Sequence, residues 1–196
     1  MTIPAFNIHG VIPPFTGADP VAGGPAALSP YVAKPVEVVD DLGTTADRRD
    51  ILTKWLDHRR QLRLLGFTGF QWLDGSFVEK KNPQDLDVVT FLRRPLTAQS
   101  PVALGTLLGQ NPGTFNHAML KARHRLDAYF VDMDGASETI VEVTRYFCGL
   151  FSHRRNDYLW KGMLRVDLSA AAADDDVAAA ALLVSALLIG DGRAGP

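Results

Sequence analysis

The sequence predicts a single mixed α/β (α+β) domain, in which helices flank a mixed β-sheet. Three observations carry this reading. The chain has 196 residues, 46% apolar and 21% charged, enough for one well-formed core. Short apolar segments with β character recur at residues 69–73, 86–92, 126–132, 139–150 and 158–168. Stretches of helical period alternate with them, the pattern of a sheet covered by helices.

Taken in order, residues 1–40 are rich in Pro, Gly and Ala and show no sustained period. They carry Phe6, Ile8, Val11, Ile12, Phe15, Tyr31 and Val32, which favours an arm packed on the domain or on a second subunit over a partly disordered leader. The domain proper is expected over residues 41–170. It opens with a helix at residues 44–65, where Ile51, Leu52, Trp55, Leu56, Arg59, Leu62 and Leu65 recur at helical spacing and Gly66 ends the run. Arg48, Arg49, Lys54, Arg59, Arg60 and Arg63 mostly line the other face; they read as a solvated surface, with a phosphate-facing patch as the alternative. Between the second and third strands come two helices joined by a turn at Asn111-Pro112-Gly113. In the tail, residues 171–196, Asp174, Asp175 and Asp176 open an Ala/Leu-rich helix whose apolar face must pack on the sheet or on a partner; residues 190–196 are expected to fray.

Composition excludes several classes. A net charge of −2 gives no global attraction to nucleic acid or to an anionic membrane. The one cysteine, Cys148, rules out an internal disulfide and reads as a packed thiol. The five histidines lack metal-ligand spacing, and His117 and His124 read as surface residues. No Walker loop or Ser-His-Asp constellation is present. The N-terminus lacks the pattern of a signal peptide, and the longest apolar run, residues 177–189, is short for a bilayer. The expected setting is cytoplasmic, with no membrane contact.

The stretch WLDGSFVEKKNPQDLDVVTFL, residues 72–92, raises the chemical question. On a strand, Asp85 and Asp87 project to the same side. Two carboxylates that close resist joint ionisation unless a cation compensates, and a hard divalent ion prefers such oxygen ligands. A solvated strand start after Asn82-Pro83 is the competing reading. Upstream, Gly75 permits close backbone approach and Ser76 offers a hydroxyl and an N–H to a phosphate oxygen. A third acid, Asp127, lies among apolar neighbours in RLDAYFVD, with Asp132 and Asp134 as rivals. Three carboxylates beside a phosphate-holding turn suit two-metal phosphoryl transfer.

Gly75-Ser76, a spacer of eight residues and then Asp85-Leu86-Asp87 resembles the signature of the nucleotidyltransferase superfamily typified by DNA polymerase beta, over residues 69–132. The chain most resembles its small bacterial stand-alone members. That resemblance implies a nucleotidyltransferase-like fold, with Gly75 and Ser76 holding a triphosphate, Asp85 and Asp87 binding Mg²⁺ (or Mn²⁺), and Asp127 completing the second metal site. It implies an NTP substrate, a hydroxyl acceptor on RNA, protein or nucleotide, and a role in a toxin–antitoxin or phage-defence pair. The rival is a catalytically silent module of the same fold, docking a partner protein or a second copy through the N-terminal arm or the C-terminal helix.

A later basic cluster, His153, Arg154, Arg155 and Lys161, reads as a turn between two strands. Arg155 and Lys161 are candidates to hold phosphate, and Tyr158 or Trp160 to stack on a base. Otherwise it is a charged hairpin tip with Trp160 in the core.

Overall fold

The structure, a computed structural model, describes residues 3–191, with side chains through residue 186. Residues 192–196, most of the segment expected to fray, lie outside it. Five strands form one mixed sheet: β1 (Tyr31–Ala33), β2 (Thr68–Asp74), β3 (Leu86–Arg93), β4 (Leu126–Asp132) and β5 (Leu164–Asp167). Their order is β1-β5-β2-β3-β4. β2 runs antiparallel to β3 and β5, while β1 with β5 and β3 with β4 are parallel. The helices are α1 (Pro35–Leu42), α2 (Ala46–Leu64), α3 (Pro101–Gln110), α4 (Pro112–Phe115), α5 (His117–His124), α6 (Ser137–Phe151) and α7 (Ala173–Asp191).

The central helix forms where its caps dictate. Thr45 accepts a hydrogen bond from the Arg48 N–H at 3.2 Å. At the other end Gly66, with φ +84°, lets the Phe67 N–H reach the Leu62 carbonyl and its own N–H reach Arg63, a Schellman closure. Ile51, Leu52, Trp55 and Leu56 then meet Leu73, Val88, Leu126 and Val166 on one sheet face, joined by α1, α5 and α7. The opposite face buries Trp72, Val89, Phe91 and Val131 against Phe147 and Phe151 of α6.

Two charged residues expected in solvent are inside. Arg59 is fully buried, donating to both oxygens of Asp176 at 3.0 Å, to Gln71 at 3.0 Å and to the Asp167 carbonyl at 2.6 Å. Gln71 in turn accepts from Trp55 and donates to Thr90, so one satisfied polar network locks α2, β2, β3 and α7 together. Asp176 therefore does more than favour a helix N-terminus. Arg48 is also buried, for a reason that belongs to the site.

Three other expectations need correction. Residues 139–150 form α6, not a strand: Ile140, Val143, Thr144, Phe147, Cys148 and Phe151 are the inward positions, a helical period that outweighs the β-branched composition. Of residues 158–168 only Leu164–Asp167 is strand. The N-terminal arm packs on its own domain, one of its two expected placements, burying Ile3, Val11 and Ile12, but it also supplies β1 and α1, so the boundary expected at residue 40 falls inside a helix. Among the described residues no helix is long and apolar enough to cross a membrane.

Candidate active site

β2 delivers Asp74 opposite Asp87 of β3, and β3 delivers Asp87 opposite Asp127 of β4. Three carboxylates thus stand across adjacent strands, roughly 5 Å from strand to strand, on the face that carries α6. Asp85, two residues before Asp87, points to the same side. A cavity of about 450 Å³ opens over them. One wall is Gly75, Ser76, Asp85, Asp87 and Asp127; the other is the segment after α6, with His153, Arg154, Arg155 and Lys161. All seven site residues expected from the sequence line this one cavity.

Gly75 sits where a side chain would be strained and crowded. Its φ is +71°, and a Cβ on it would lie 1.7 Å from Asp87 Oδ2. The turn therefore rests directly on the carboxylate. Behind it, the buried Arg48 guanidinium donates to the carbonyls of Phe77 and Lys81, both at 2.8 Å, and to that of Glu79. It also lies 4.9 Å from the Phe77 ring centroid. The N-terminal arm adds a second brace, the Lys80 N–H donating to Gly10 at 2.8 Å. These contacts fix the backbone of the turn.

The charges are mostly matched. Lys161 donates to Asp74 at 2.7 Å and to the Gly75 carbonyl at 3.1 Å, with both side chains buried. Burial pushes the Asp74 carboxyl up to about 7, with Lys161 pulling against it. Lys81 pairs with Glu79 at 3.0 Å, and Arg154 with Asp157. Lys121 of α5 donates to Asp127 at 2.6 Å and lies 3.3 Å from Asp85. Burial works against ionisation of Asp127, yet hydrogen bonds from Lys121 and Tyr129 hold its carboxyl below the usual range. Its Oδ1 is buried without a hydrogen bond, 3.4 Å from His117 Nε2.

Asp87 is the exception. Among the described residues its side chain makes no hydrogen bond or ion pair. Burial, then the charges of Asp85 and Asp127, push its carboxyl up to about 6. Across the cavity Arg155 is exposed and likewise has no hydrogen bond or ion pair among the described residues.

The donor set is all oxygen and fits a hard divalent cation in kind. In placement, no group of three or more His, Cys, Asp or Glu among the described residues is drawn together in a metal-binding arrangement. Asp85 and Asp127 instead share the Lys121 ammonium. Asp132 and Asp134 are excluded as third acid: Asp132 lies about 16 Å further along β4 at 3.3 Å per residue, and they pair with Arg94 and Arg93.

The basic segment differs from its expected form. His153 to Arg155 follow a helix rather than a strand, and Trp160 is half-exposed against Phe15, its ring 5.8 Å away, rather than in the core. Lys161 braces Asp74 and the turn instead of facing the cavity freely. Asp74 and Lys121 are site residues that the sequence pattern does not single out, and Arg48 is one that it places on a solvated face. Alternation on β2, which puts Asp74 on the face of Trp72, could have found the first; nothing local signals Lys121.

The chain belongs to the DUF6932 family, a family of unknown function whose profile matches residues 4–167. That stretch takes in the N-terminal arm and every strand and stops short of α7. No curated protein and no solved structure matches the chain.

Proposed function

We propose that this member of the family is a metal-dependent nucleotidyltransferase, moving a nucleoside monophosphate from an NTP to an acceptor hydroxyl on RNA, protein or a nucleotide. The observation that carries the reading is the seating of the Gly75 turn on the Asp87 carboxylate, beside Asp85 and Asp127. Asp85, Asp87 and Asp127 would hold Mg²⁺ or Mn²⁺, which when bound neutralises triphosphate charge and makes the attacking hydroxyl more acidic. The Gly75-Ser76 backbone and the Ser76 hydroxyl donate to phosphate oxygens, and Arg155 offers a two-donor clamp from the opposite wall. Lys161 keeps the turn in place through Asp74 and the Gly75 carbonyl. The acceptor oxygen bonds to the α-phosphorus as the bond to pyrophosphate breaks, and the hydroxyl proton passes to a carboxylate of the trio.

The test is incubation with α-labelled ATP, GTP, CTP and UTP and Mg²⁺ or Mn²⁺, with and without bulk RNA. Label transfer that disappears in Asp85→Ala and Asp87→Ala supports the reading; no transfer under any condition refutes it. One observation favours a second reading: the protein's own ammonium already joins Asp85 and Asp127. A catalytically silent module of the same fold, working as one half of a protein complex, would bind its partner unchanged in both variants.

A further inference from the structure

We infer that Lys121 is a built-in competitor for the cation site: its ammonium stands in for a divalent ion at Asp85 and Asp127 and must leave before one can bind. The inference rests on the proposal that these carboxylates take a divalent cation.

Two properties of α5 make Lys121 suited to this. Its backbone is fixed close to the acids, because Asn116 caps the helix by accepting from the Met119 N–H at 3.0 Å and Leu120 is fully buried. Arg125, in the left-handed conformation at φ 56°, turns the chain straight into β4. The Arg125 guanidinium also donates to the Gln84 carbonyl at 2.8 Å, so the lysine and Asp85 are tied to one elbow. The Lys121 side chain itself is about half exposed, at 49%. Its four-carbon stem can swing out with no backbone change.

The neighbours on every side agree. Asp85 from the loop before β3 and Asp127 and Tyr129 from β4 face the ammonium, while His117 of α5 lies 3.4 Å from the other oxygen of Asp127. One ammonium cannot balance three carboxylates, and Asp87 feels positive charge only at a distance, from Arg155 and Lys161. A divalent ion brings more charge and more coordination sites to the same oxygens, and displaces the lysine by mass action.

The experiment is Mn²⁺ titration of the full chain without nucleotide, read from the free-ion electron paramagnetic resonance signal, for wild type, Lys121→Met, Lys121→Gln, Lys121→Arg and Asp87→Ala. An exposed ion pair is worth up to about 1 kcal/mol, so both neutral variants should bind Mn²⁺ up to about fivefold more tightly than wild type. Lys121→Arg should stay within about twofold on the same reasoning. Thermal melts add a readout that does not depend on activity. Without divalent ion the neutral variants should melt below wild type, and saturating Mn²⁺ should close that gap. Equal or weaker Mn²⁺ binding by the neutral variants overturns the role of Lys121 while leaving the metal site standing. Absence of Asp87-dependent Mn²⁺ binding in wild type and in the neutral variants overturns the site and the inference together.

Discussion

Asp87→Asn should make the metal-free protein more stable at pH 8, although Asp87 lies at the centre of the proposed chemistry. Burial and two like charges raise its carboxyl from 3.8 to about 6. At about 1.4 kcal/mol per tenfold change in proton affinity, ionised Asp87 costs the fold up to ~3 kcal/mol. Partial exposure and screening reduce the expected gain to ~1–2 kcal/mol. The sign follows from linkage: a carboxylate raised on folding leaves stability intact below pH 3.8 and removes it progressively between 3.8 and about 6. The advantage of the amide should therefore be full at pH 8, roughly half as large at pH 5, about a fifth as large at pH 4 and absent by about pH 3. Urea denaturation followed by tryptophan fluorescence at those pH values measures it. Adding Mn²⁺ should stabilise wild type and leave the variant unmoved. A variant less stable than wild type at pH 8 without divalent ions, or a difference that ignores pH, would refute the placement of Asp87 among unbalanced carboxylates.

Three further outcomes follow from the same geometry. Gly75→Ala should cost at least ~2 kcal/mol in urea denaturation, from the clash with Asp87 and the positive φ, and Asp87→Gly in the same chain should return part of that loss. Arg48→Met should lower stability by ~3–5 kcal/mol, since it strands several buried carbonyls, and amide exchange should accelerate across residues 77–81. His58 is buried beneath the Thr114 carbonyl, and burial holds its imidazole down to about 4. Stability tied to it is present above pH 6.5 and lost as pH falls toward 4, and its ring resonances in NMR should titrate near 4 rather than near 6.5.

The candidate site was legible to the extent that it depends on strand alternation and turn chemistry. Asp85, Asp87 and Asp127 share a face because the side-chain period of a strand is two, and Gly75 stands where only a missing Cβ lets the chain touch Asp87. What could not be read depends on which elements meet. Lys121 reaches its two acids across the α5–β4 elbow, and Arg48 fastens a loop about thirty residues away; neither pairing has a local pattern. Two helices were hidden by composition instead. Thr139, Ile140, Val141, Val143 and Thr144 have the β-branched character of a strand, and so do Val36, Val38 and Val39 of α1. In both helices the buried set nevertheless falls at helical spacing, with Pro35, Val38, Val39 and Leu42 in α1, because packing against the sheet outweighs local preference. Arg59 was counted on a helix face taken as solvated because a charge is normally outside; a full set of acceptors lets it be inside.

The most direct test of the proposed cation–phosphate site is the affinity of a non-hydrolysable NTP analogue measured by calorimetry with and without Mn²⁺, in wild type and Asp87→Ala. Wild type should bind the analogue at least about tenfold more tightly when Mn²⁺ is present, and Asp87→Ala should show no such gain. Binding that is indifferent to Mn²⁺, or an Asp87→Ala protein that responds as wild type does, would contradict the account.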